Sequence, residues 1–193
     1  MPSIPLRKRL FDLAGSAAGL LVFSPLMAVV AAAIVLDDGW PVLFRQERVG
    51  WRRRAFTILK FRSMRDGQIT RVGRILRATG LDELPQFINV LRGEMSAVGP
   101  RPLTEADVIR LGWTAPRHDF RWRVLPGLTG LAQVTEAGSG RQSLCLDRRY
   151  VSRQNLALDA RLVAISFAIN ALGKHRVRQL LVRPRRRDVL VRL

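Results

Sequence analysis

The sequence predicts a mostly helical α+β protein with an N-terminal membrane helix, a β-hairpin and amphipathic interfacial helices around a small core. Three observations predict this fold class: an uncharged apolar run near the N-terminus, a strongly basic composition, and mixed helix and strand spacing after the run. The 193 residues correspond to about one domain. With 33 Lys and Arg against 15 Asp and Glu, the net charge of +18 indicates an anionic partner, such as nucleic acid, anionic lipid or a phosphorylated substrate.

The composition also excludes several classes of protein. A hydrophobic fraction of 48% is too high for a disordered basic tail protein. The single cysteine, Cys145, cannot form an internal disulfide, and two histidines argue against a metal site built from histidines.

The apolar run from Leu13 to Leu36 contains no charged side chain. As a straight helix it would be about 36 Å long, enough to cross a hydrocarbon core of about 30 Å and too long for a signal peptide. Basic residues flank both ends, which favours a cytoplasmic position for both. Two interpretations remain from these residues: a single span kinked at Pro25, or a helix broken at Ser24-Pro25 that turns back. In either, the Ser24 hydroxyl can satisfy a carbonyl that Pro25 leaves free.

Alternating residues predict a β-hairpin over Pro41–Met64, with its turn at Val49–Trp51. The next segment, Ile69–Ala78, has the spacing of a basic amphipathic helix suited to a membrane surface. Its apolar face is predicted to contain Val72, Ile75 and Leu76. A second helix is expected over Leu81–Leu91, ended by Gly93.

Later segments are shorter. Pro100, Arg101 and Pro102 form a stiff segment because each proline fixes its own φ and restricts the residue before it. Leu131–Val134 is the expected strand, and Tyr150–Leu172 is expected to be helical. Among the four tryptophans, Trp40 at the end of the apolar run is the one expected at a membrane interface.

The adjacent carboxylates Asp82 and Glu83 fall in the first turn of the second predicted helix. They are either ordinary acids favoured by the helix dipole or part of a phosphate-handling site. Arg77 lies five residues upstream and Arg101 sits in the stiff segment, and such arginines bind anions. One carboxylate could then bind a divalent metal or act as nucleophile, with its neighbour as base.

A series of short motifs gives the sequence a family resemblance. In chain order they are Lys8-Arg9, Ser24-Pro25, Lys60-Phe61-Arg62-Ser63-Met64, Thr70-Arg71-Val72-Gly73-Arg74, Leu81-Asp82-Glu83-Leu84-Pro85-Gln86, Asn89-Val90-Leu91-Arg92-Gly93, Met95-Ser96, Val98-Gly99-Pro100-Arg101-Pro102 and Pro126-Gly127-Leu128-Thr129-Gly130. Each is weak alone, but their joint order, over roughly Lys8–Leu172, resembles the bacterial sugar transferases, the monotopic phosphoglycosyl transferases.

The resemblance implies transfer of a sugar-1-phosphate from a UDP-sugar to polyprenyl phosphate, with release of UMP, as the first membrane step of exopolysaccharide, capsule or O-antigen synthesis. It implies that Asp82 is the nucleophile, which forms a covalent phosphosugar intermediate and lies near Mg²⁺, and that Glu83 is its acid–base partner. Substrate-binding roles are implied for Lys60, Arg77, Pro100, Arg101 and Pro102.

The resemblance also favours the re-entrant interpretation, with the break at Ser24 and Pro25. The single domain of residues 1–193 would comprise a re-entrant membrane helix at 10–39, a catalytic core at 40–172 and a basic tail at 173–193. The protein would be monotopic, on the cytoplasmic face of the bacterial inner membrane and in contact with anionic lipids.

Three features depart from the family pattern, and one of them is the basic tail from Lys174, which extends past the match. The stretch between Met64 and Thr70 is short, and Thr135–Arg141 lacks the Asn-Gly-Arg-Asn sequence of relatives, so the sugar is not predicted. Two alternatives remain: a membrane-tethered nucleic-acid-binding protein and a non-catalytic membrane scaffold. The first explains the charge but not Asp82-Glu83, and nucleic acid is therefore not the expected partner. The oligomeric state is not predicted.

Overall fold

The computed structural model describes residues 5–172 except residue 136. Its helices are α1 Leu6–Asp38, α2 Arg71–Thr79, α3 Gln86–Arg92, α4 Glu105–Arg110, α5 Leu131–Val134, α6 Gly140–Arg153 and α7 Leu156–Leu172. Its strands are β1 Leu43–Val49, β2 Ala55–Phe61, β3 Met64–Arg65, β4 Gln68–Ile69, β5 Ser96–Val98 and β6 Gly127–Thr129. This is the mostly helical α+β architecture that the sequence predicts. The predicted basic tail, residues 173–193, lies outside the described residues.

Helix α1 contains the apolar run and continues through Ser24 and Pro25 as one helical element. The Ser24 hydroxyl donates to the carbonyl oxygen of Leu21 at 2.9 Å. This is the carbonyl that Pro25, which has no N–H, cannot bond, so the expected local compensation is present. Within the described residues, α1 is the one helix that is long and apolar enough to cross a membrane. Its re-entry into a membrane stays a prediction.

The N-terminal end of α1 is fixed to the rest of the chain by buried polar groups. Lys8 Nζ lies 2.7 Å from Asp159 Oδ2 of α7 and 3.3 Å from the Tyr150 hydroxyl of α6. One turn later, buried Asp12 accepts hydrogen bonds from the Ser96 hydroxyl and from the next backbone N–H of β5. Buried charges are tolerated when they are paired and hydrogen-bonded, as Lys8 and Asp159 are, whereas within the described residues Asp12 is hydrogen-bonded through one carboxylate oxygen only.

The C-terminal half of α1 packs on the same body through apolar contacts. Val30 and Ile34 are buried in a cluster with Leu76 of α2. The last residue of the helix, Asp38, forms an ion pair with Arg62 at 2.9 Å. Both ends of α1 therefore belong to one folded unit with the segment that follows.

Strands β1 and β2 form the predicted antiparallel hairpin, with Leu43 opposite Phe61 and Val49 opposite Ala55. The connection is longer than the predicted turn, since a 3₁₀ turn over Trp51–Arg53 follows Gly50. The hairpin is therefore confirmed and its turn extended.

Helix α2 begins two residues after the predicted start, because the short strands β3 and β4 pair first. The Thr70 hydroxyl caps the helix by accepting from the N–H of Gly73. Leu76 is buried, as expected, but Ile75 is 62% exposed and does not belong to the packed face.

The helix predicted over Leu81–Leu91 is in fact two elements. Leu81–Glu83 form a 3₁₀ turn, and α3 begins only at Gln86. Pro85 explains the division, because it has no N–H to extend a helix that started at Leu81 and instead occupies the cap of α3.

The prediction of a strand at Leu131–Val134 is wrong. The strand is β6, which precedes it and pairs in parallel with β5, Ser96 lying opposite Gly127. Leu131–Val134 forms the short helix α5, whose Leu131 is buried against Val98. A four-residue segment with three apolar residues fits either structure, so its spacing could not separate a strand from a helix.

The predicted helix over Tyr150–Leu172 is divided between α6 and α7, which meet after Arg153. Tyr150 and Leu162 pack with Val98 and Leu131 in a buried cluster. Trp113 and Trp122 are buried and Trp40 is 75% exposed, so Trp40 is free to contact a membrane, and its place at an interface stays a prediction.

Candidate active site

The two predicted catalytic carboxylates lie in the 3₁₀ turn between α2 and α3. Gly80 has a φ of +73° and ends α2 in the left-handed conformation, which turns the chain toward the hairpin. Asp82 and Glu83 are therefore held by a tight turn, and not by the first turn of an α-helix as the sequence predicted. The turn packs against β2, which supplies Lys60.

Glu83 is the charge-paired member of the two carboxylates. Lys60 Nζ donates to Glu83 Oε1 at 2.6 Å, and Arg101 Nη2 lies 3.9 Å from the same oxygen. Asp82 forms no ion pair with any residue between 5 and 172 that the structure describes. Burial and the adjacent Glu83 raise the pKa of Asp82 above its ordinary value, while Lys60 and Arg77 oppose this by smaller amounts. The two carboxylates therefore differ: the charge of Glu83 is offset by Lys60, whereas Asp82 has no cationic partner in the part of the chain that the structure describes and is available to a ligand.

The Pro100–Pro102 segment follows β5, and its three carbonyl oxygens are all bonded. Pro100 O accepts from the Gly127 N–H at 2.9 Å, Arg101 O accepts from Arg121 Nη2, and Pro102 O accepts from Arg48 Nη1 at 3.3 Å. The segment is therefore held by its backbone, which leaves the Arg101 side chain 55% exposed and able to meet a ligand.

Arg121 is held in turn by a buried ion pair. Its Nε lies 2.7 Å from Asp147 Oδ2 of α6, and both side chains are only 3% exposed. Burial raises the pKa of Asp147, and Arg121 opposes that shift. This pair connects α6 to the backbone of the Pro100–Pro102 segment.

A polar pocket brings together four of the predicted site residues, and Asp82 is not among the residues that line it. Its lining is Arg48, Ile58, Lys60, Glu83, Gln86, Arg101, Pro102, Gly127, Leu128 and Gln133. Four of the predicted site residues line it: Lys60, Glu83, Arg101 and Pro102. Pro100 lies in the adjoining backbone. Three cationic side chains around one carboxylate leave the pocket short of negative charge, which suits a phosphate ligand.

Arg77 lies on the neighbouring helix and does not line this pocket. Its Nη1 is 2.9 Å from the sulfur of Met64. It still contributes to the field at Asp82, as the direction of its effect on the Asp82 pKa indicates. Its predicted contact with phosphate stays a prediction.

Three polar residues of the pocket, Arg48, Gln86 and Gln133, are not among the site residues that the sequence predicts. Arg48 is on β1, and burial together with the nearby Arg101 lowers its pKa. Gln86 Nε2 and both amide atoms of Gln133 are buried with no hydrogen-bond partner among the described residues. Gln86 belongs to the Leu81–Gln86 motif, so the sequence motif could have indicated its role. Arg48 and Gln133 have no local sequence pattern that distinguishes them from surface residues.

The residues that the structure describes contain no group of three or more His, Cys, Asp or Glu side chains arranged for a metal ion. The pair Asp82 and Glu83 offers hard oxygen donors, and Mg²⁺ commonly binds one or two carboxylates with water and substrate phosphates completing its shell. The donor set therefore fits a Mg²⁺ ion that arrives with a phosphorylated substrate.

Comparison with known proteins matches residues 4–171 to the family model described as bacterial sugar transferase. This chain belongs to the bacterial sugar transferase family. The matched residues include α1, the turn that contains Asp82 and Glu83, and the Pro100–Pro102 segment. The candidate site therefore lies entirely within the part of the chain that matches the family model.

Several members of the bacterial sugar transferase family are similar along most of this chain. A UDP-glucose:undecaprenyl-phosphate glucose-1-phosphate transferase of Caulobacter vibrioides is 40% identical over 83% of the chain and 68% of its own length. An undecaprenyl-phosphate glucose phosphotransferase of Komagataeibacter xylinus is 40% identical over 83% of the chain but only 35% of its own length. A UDP-N-acetylgalactosamine-undecaprenyl-phosphate N-acetylgalactosaminephosphotransferase of Aeromonas hydrophila is 38% identical, over 81% and 41% respectively. The chain thus spans about two thirds of the first relative and less than half of the other two.

Proposed function

We propose that this protein transfers a sugar-1-phosphate from a UDP-sugar to polyprenyl phosphate and releases UMP. The observation that carries the proposal is the asymmetric carboxylate pair, Asp82 and Glu83, beside a pocket with three cationic side chains, Arg48, Lys60 and Arg101. The names of the relatives support both substrates, since they include a UDP-sugar and undecaprenyl phosphate. Because those relatives use glucose or N-acetylgalactosamine, the family alone does not fix the sugar.

The chemistry assigned to Asp82 is nucleophilic. A carboxylate oxygen attacks the β-phosphorus of the UDP-sugar, a P–O bond to Asp82 forms, and the bridging P–O bond breaks so that UMP leaves with its electron pair. A phosphate oxygen of the lipid then attacks the same phosphorus, and the Asp82 carboxylate leaves. Glu83 accepts the proton that the lipid phosphate loses, and Lys60 offsets the charge on Glu83.

Arg48, Lys60 and Arg101 stabilise the negative charge that develops on the transferred phosphoryl oxygens. Burial and, to a smaller extent, the nearby Arg101 lower the pKa of Arg48, so an anion between the two arginines relieves their repulsion. Mg²⁺ held by Asp82 and the substrate phosphates would supply additional positive charge at the same centre. The unpartnered amides of Gln86 and Gln133 supply hydrogen-bonding groups for the sugar hydroxyls.

The protein is proposed to be monotopic, with its site at the cytoplasmic surface of the bacterial inner membrane. Support comes from α1, which is anchored to one folded body at Lys8 and again at Asp38. A helix that crosses the bilayer separates its ends by about 30 Å of hydrocarbon, whereas a re-entrant helix keeps them on one side. Exposed apolar side chains on neighbouring elements, among them Trp40, Ile69 and Ile75, are suited to the same interface with anionic lipids.

The test is UMP release by the purified full chain with a panel of UDP-sugars and polyprenyl phosphate. One UDP-sugar is expected to give turnover, and Asp82→Asn is expected to abolish it. The control is Asp66→Asn, because the Asp66 side chain is 95% exposed and lies away from the pocket. Without acceptor, the wild-type enzyme should carry one phosphosugar on Asp82. Turnover by Asp82→Asn at the wild-type rate contradicts the assigned nucleophile, and no UMP release with any donor contradicts the proposed function.

A further inference from the structure

A large cavity lies beside the polar pocket and is not used by the donor chemistry above. Its volume is about 950 Å³. Its walls come from the N-terminal half of α1, from α3 and α5, and from the C-terminal part of α7. Six of its large apolar lining residues are Phe11, Phe23, Phe87, Leu128, Val163 and Phe167.

The cavity has one charged end. Of its lining residues, only Glu83 and Arg101 carry a charge, and both also line the polar pocket. Leu128 and Gln133 are shared as well, so the two spaces meet where Glu83 and Arg101 lie. A ligand that fits both has an anionic head and a long apolar body. The diphosphate, ribose and sugar hydroxyls of a nucleotide sugar do not match the apolar walls.

Small residues of α1 keep the cavity open. Gly15, Ser16, Ala18 and Gly19 all line it and contribute no large side chain. A Cβ atom added at Gly15 would meet nothing within 4 Å, so this position faces free space. By contrast, a Cβ at Gly19 would lie 2.9 Å from the Phe87 ring, so that glycine allows α1 to pack closely on α3. Glycine inside a helix costs up to about 1 kcal/mol relative to alanine, and here two glycines border one cavity.

We propose that this cavity binds the isoprenoid units nearest the phosphate of the lipid acceptor, with that phosphate at Arg101. The assignment rests on the proposed function and adds to it a site for the acceptor's apolar portion, which adjoins the donor's pocket and shares Arg101 with it. In it, α1 is part of the substrate-binding wall as well as the membrane anchor. Phospholipid acyl chains are the competing occupant, and competition of phosphatidylglycerol with a photoreactive farnesyl phosphate measures how well they bind.

The first experiment fills the cavity from Gly15 in the full-length protein. Gly15→Ala, Gly15→Leu and Gly15→Phe add increasing volume where the backbone leaves room. The KM for polyprenyl phosphate should rise along this series, by at least about tenfold for Gly15→Phe, which is the effect of excluding roughly two buried methylene groups. Ala17→Phe is the matched control, because Ala17 is exposed on the same helix and does not line the cavity. An acceptor KM that stays at the wild-type value throughout the series overturns the proposal.

The second experiment detects binding without catalysis. Farnesyl phosphate with a diazirine on its terminal isoprene unit is photolysed with the wild-type protein in detergent, and the labelled peptides are mapped by mass spectrometry. Labels are expected within residues 11–23 or 163–170, and Gly15→Phe should lose most of them while Ala17→Phe keeps them. Labels elsewhere, or labels displaced as well by phosphatidylglycerol as by unlabelled farnesyl phosphate, overturn the proposal. If the labels map as expected but no UDP-sugar gives UMP release, the proposed function fails and the lipid-phosphate site stands.

Discussion

Asp82 and Glu83 are neighbours in sequence but have different surroundings. Lys60 pairs with Glu83, whereas Asp82 is partly buried, beside a like charge and without an ion pair among the described residues. Its raised pKa means that ionised Asp82 costs the folded protein free energy. Active sites of enzymes commonly contain reactive groups that lower the stability of the folded protein.

This cost predicts that Asp82→Asn is more stable than the wild-type protein at neutral pH. The penalty is fully present above the raised pKa and disappears as the pH falls to the ordinary value of 3.8, where the carboxyl is protonated in both the folded and unfolded states. Tm should rise by about 2–4 °C for each 1 kcal/mol recovered. Thermal unfolding in one detergent across a pH series measures this, and Asp66→Asn should show no comparable trend. A lower Tm for Asp82→Asn at neutral pH would contradict the prediction.

Arg101 offers a second prediction at this scale. Arg101→Lys retains the charge but loses the planar guanidinium, and with it one charge-assisted hydrogen bond of about 1.5–3 kcal/mol. The kcat/KM for the UDP-sugar should fall by roughly 10- to 150-fold. Arg110→Lys is the matched control, because Arg110 is exposed and pairs with Asp107 outside the pocket. Steady-state kinetics at saturating acceptor measure this change. If kcat/KM for the UDP-sugar is the same for Arg101→Lys and the wild-type enzyme, Arg101 does not belong to the site.

Much of the site could be predicted from the sequence because its residues lie in short motifs. Lys60, Glu83, Arg101 and Pro102 do line one pocket. Gln133 could not be predicted, because an unpartnered amide is recognised only when the three-dimensional surroundings of its two polar atoms are known.

At the scale of elements, spacing located the hairpin and α2 well but failed where a proline or a short run decided the structure. Leu81–Leu91 has a helical stripe, yet Pro85 divides it. In the strand pair, β6 contains Gly127, and a Cβ there would collide with the backbone of Gly99. Close backbone approach therefore determines the position of that strand, and apolar periodicity carries no information about it.

The Ser24-Pro25 pair gives the prediction for α1. Ser24→Ala with Pro25→Leu restores a continuous backbone hydrogen-bond ladder and should favour a straight helix that crosses the bilayer. In a Cys145→Ser background, single cysteines at Leu6 and Arg54 should react only from the cytoplasmic side in the wild-type sequence. In the double variant, a fraction of the Leu6 label should become accessible from the opposite side. Labelling of these two positions from opposite sides in the wild-type sequence would contradict re-entry.

At the scale of the whole molecule, the buried Lys8–Asp159 ion pair connects the first described helix to the last. Removing one partner leaves an uncompensated buried charge, which typically costs about 3–5 kcal/mol. Lys8→Met should therefore lower Tm by roughly 6–20 °C. The neighbouring Arg7→Met is the control, because Arg7 is exposed.

Combining Lys8→Met with Asp159→Leu should restore a large part of the lost stability, since no charge is then left unpaired. Thermal unfolding of the four proteins in one detergent measures this. A Lys8→Met protein as stable as Arg7→Met would show that the ion pair does not stabilise the fold.

The sequence separation of this ion pair also affects how the protein is made. Lys8 and Asp159 are 151 positions apart, and at about 5–20 residues per second the ribosome needs roughly 8–30 s between them. Two earlier partners of α1, Leu76 and Ser96, are synthesised during that interval, whereas Asp159 of α7 is added only at its end. Lys8 therefore stays without its carboxylate partner until nearly all of the described chain has been made, so this ion pair is among the last contacts of α1 to form.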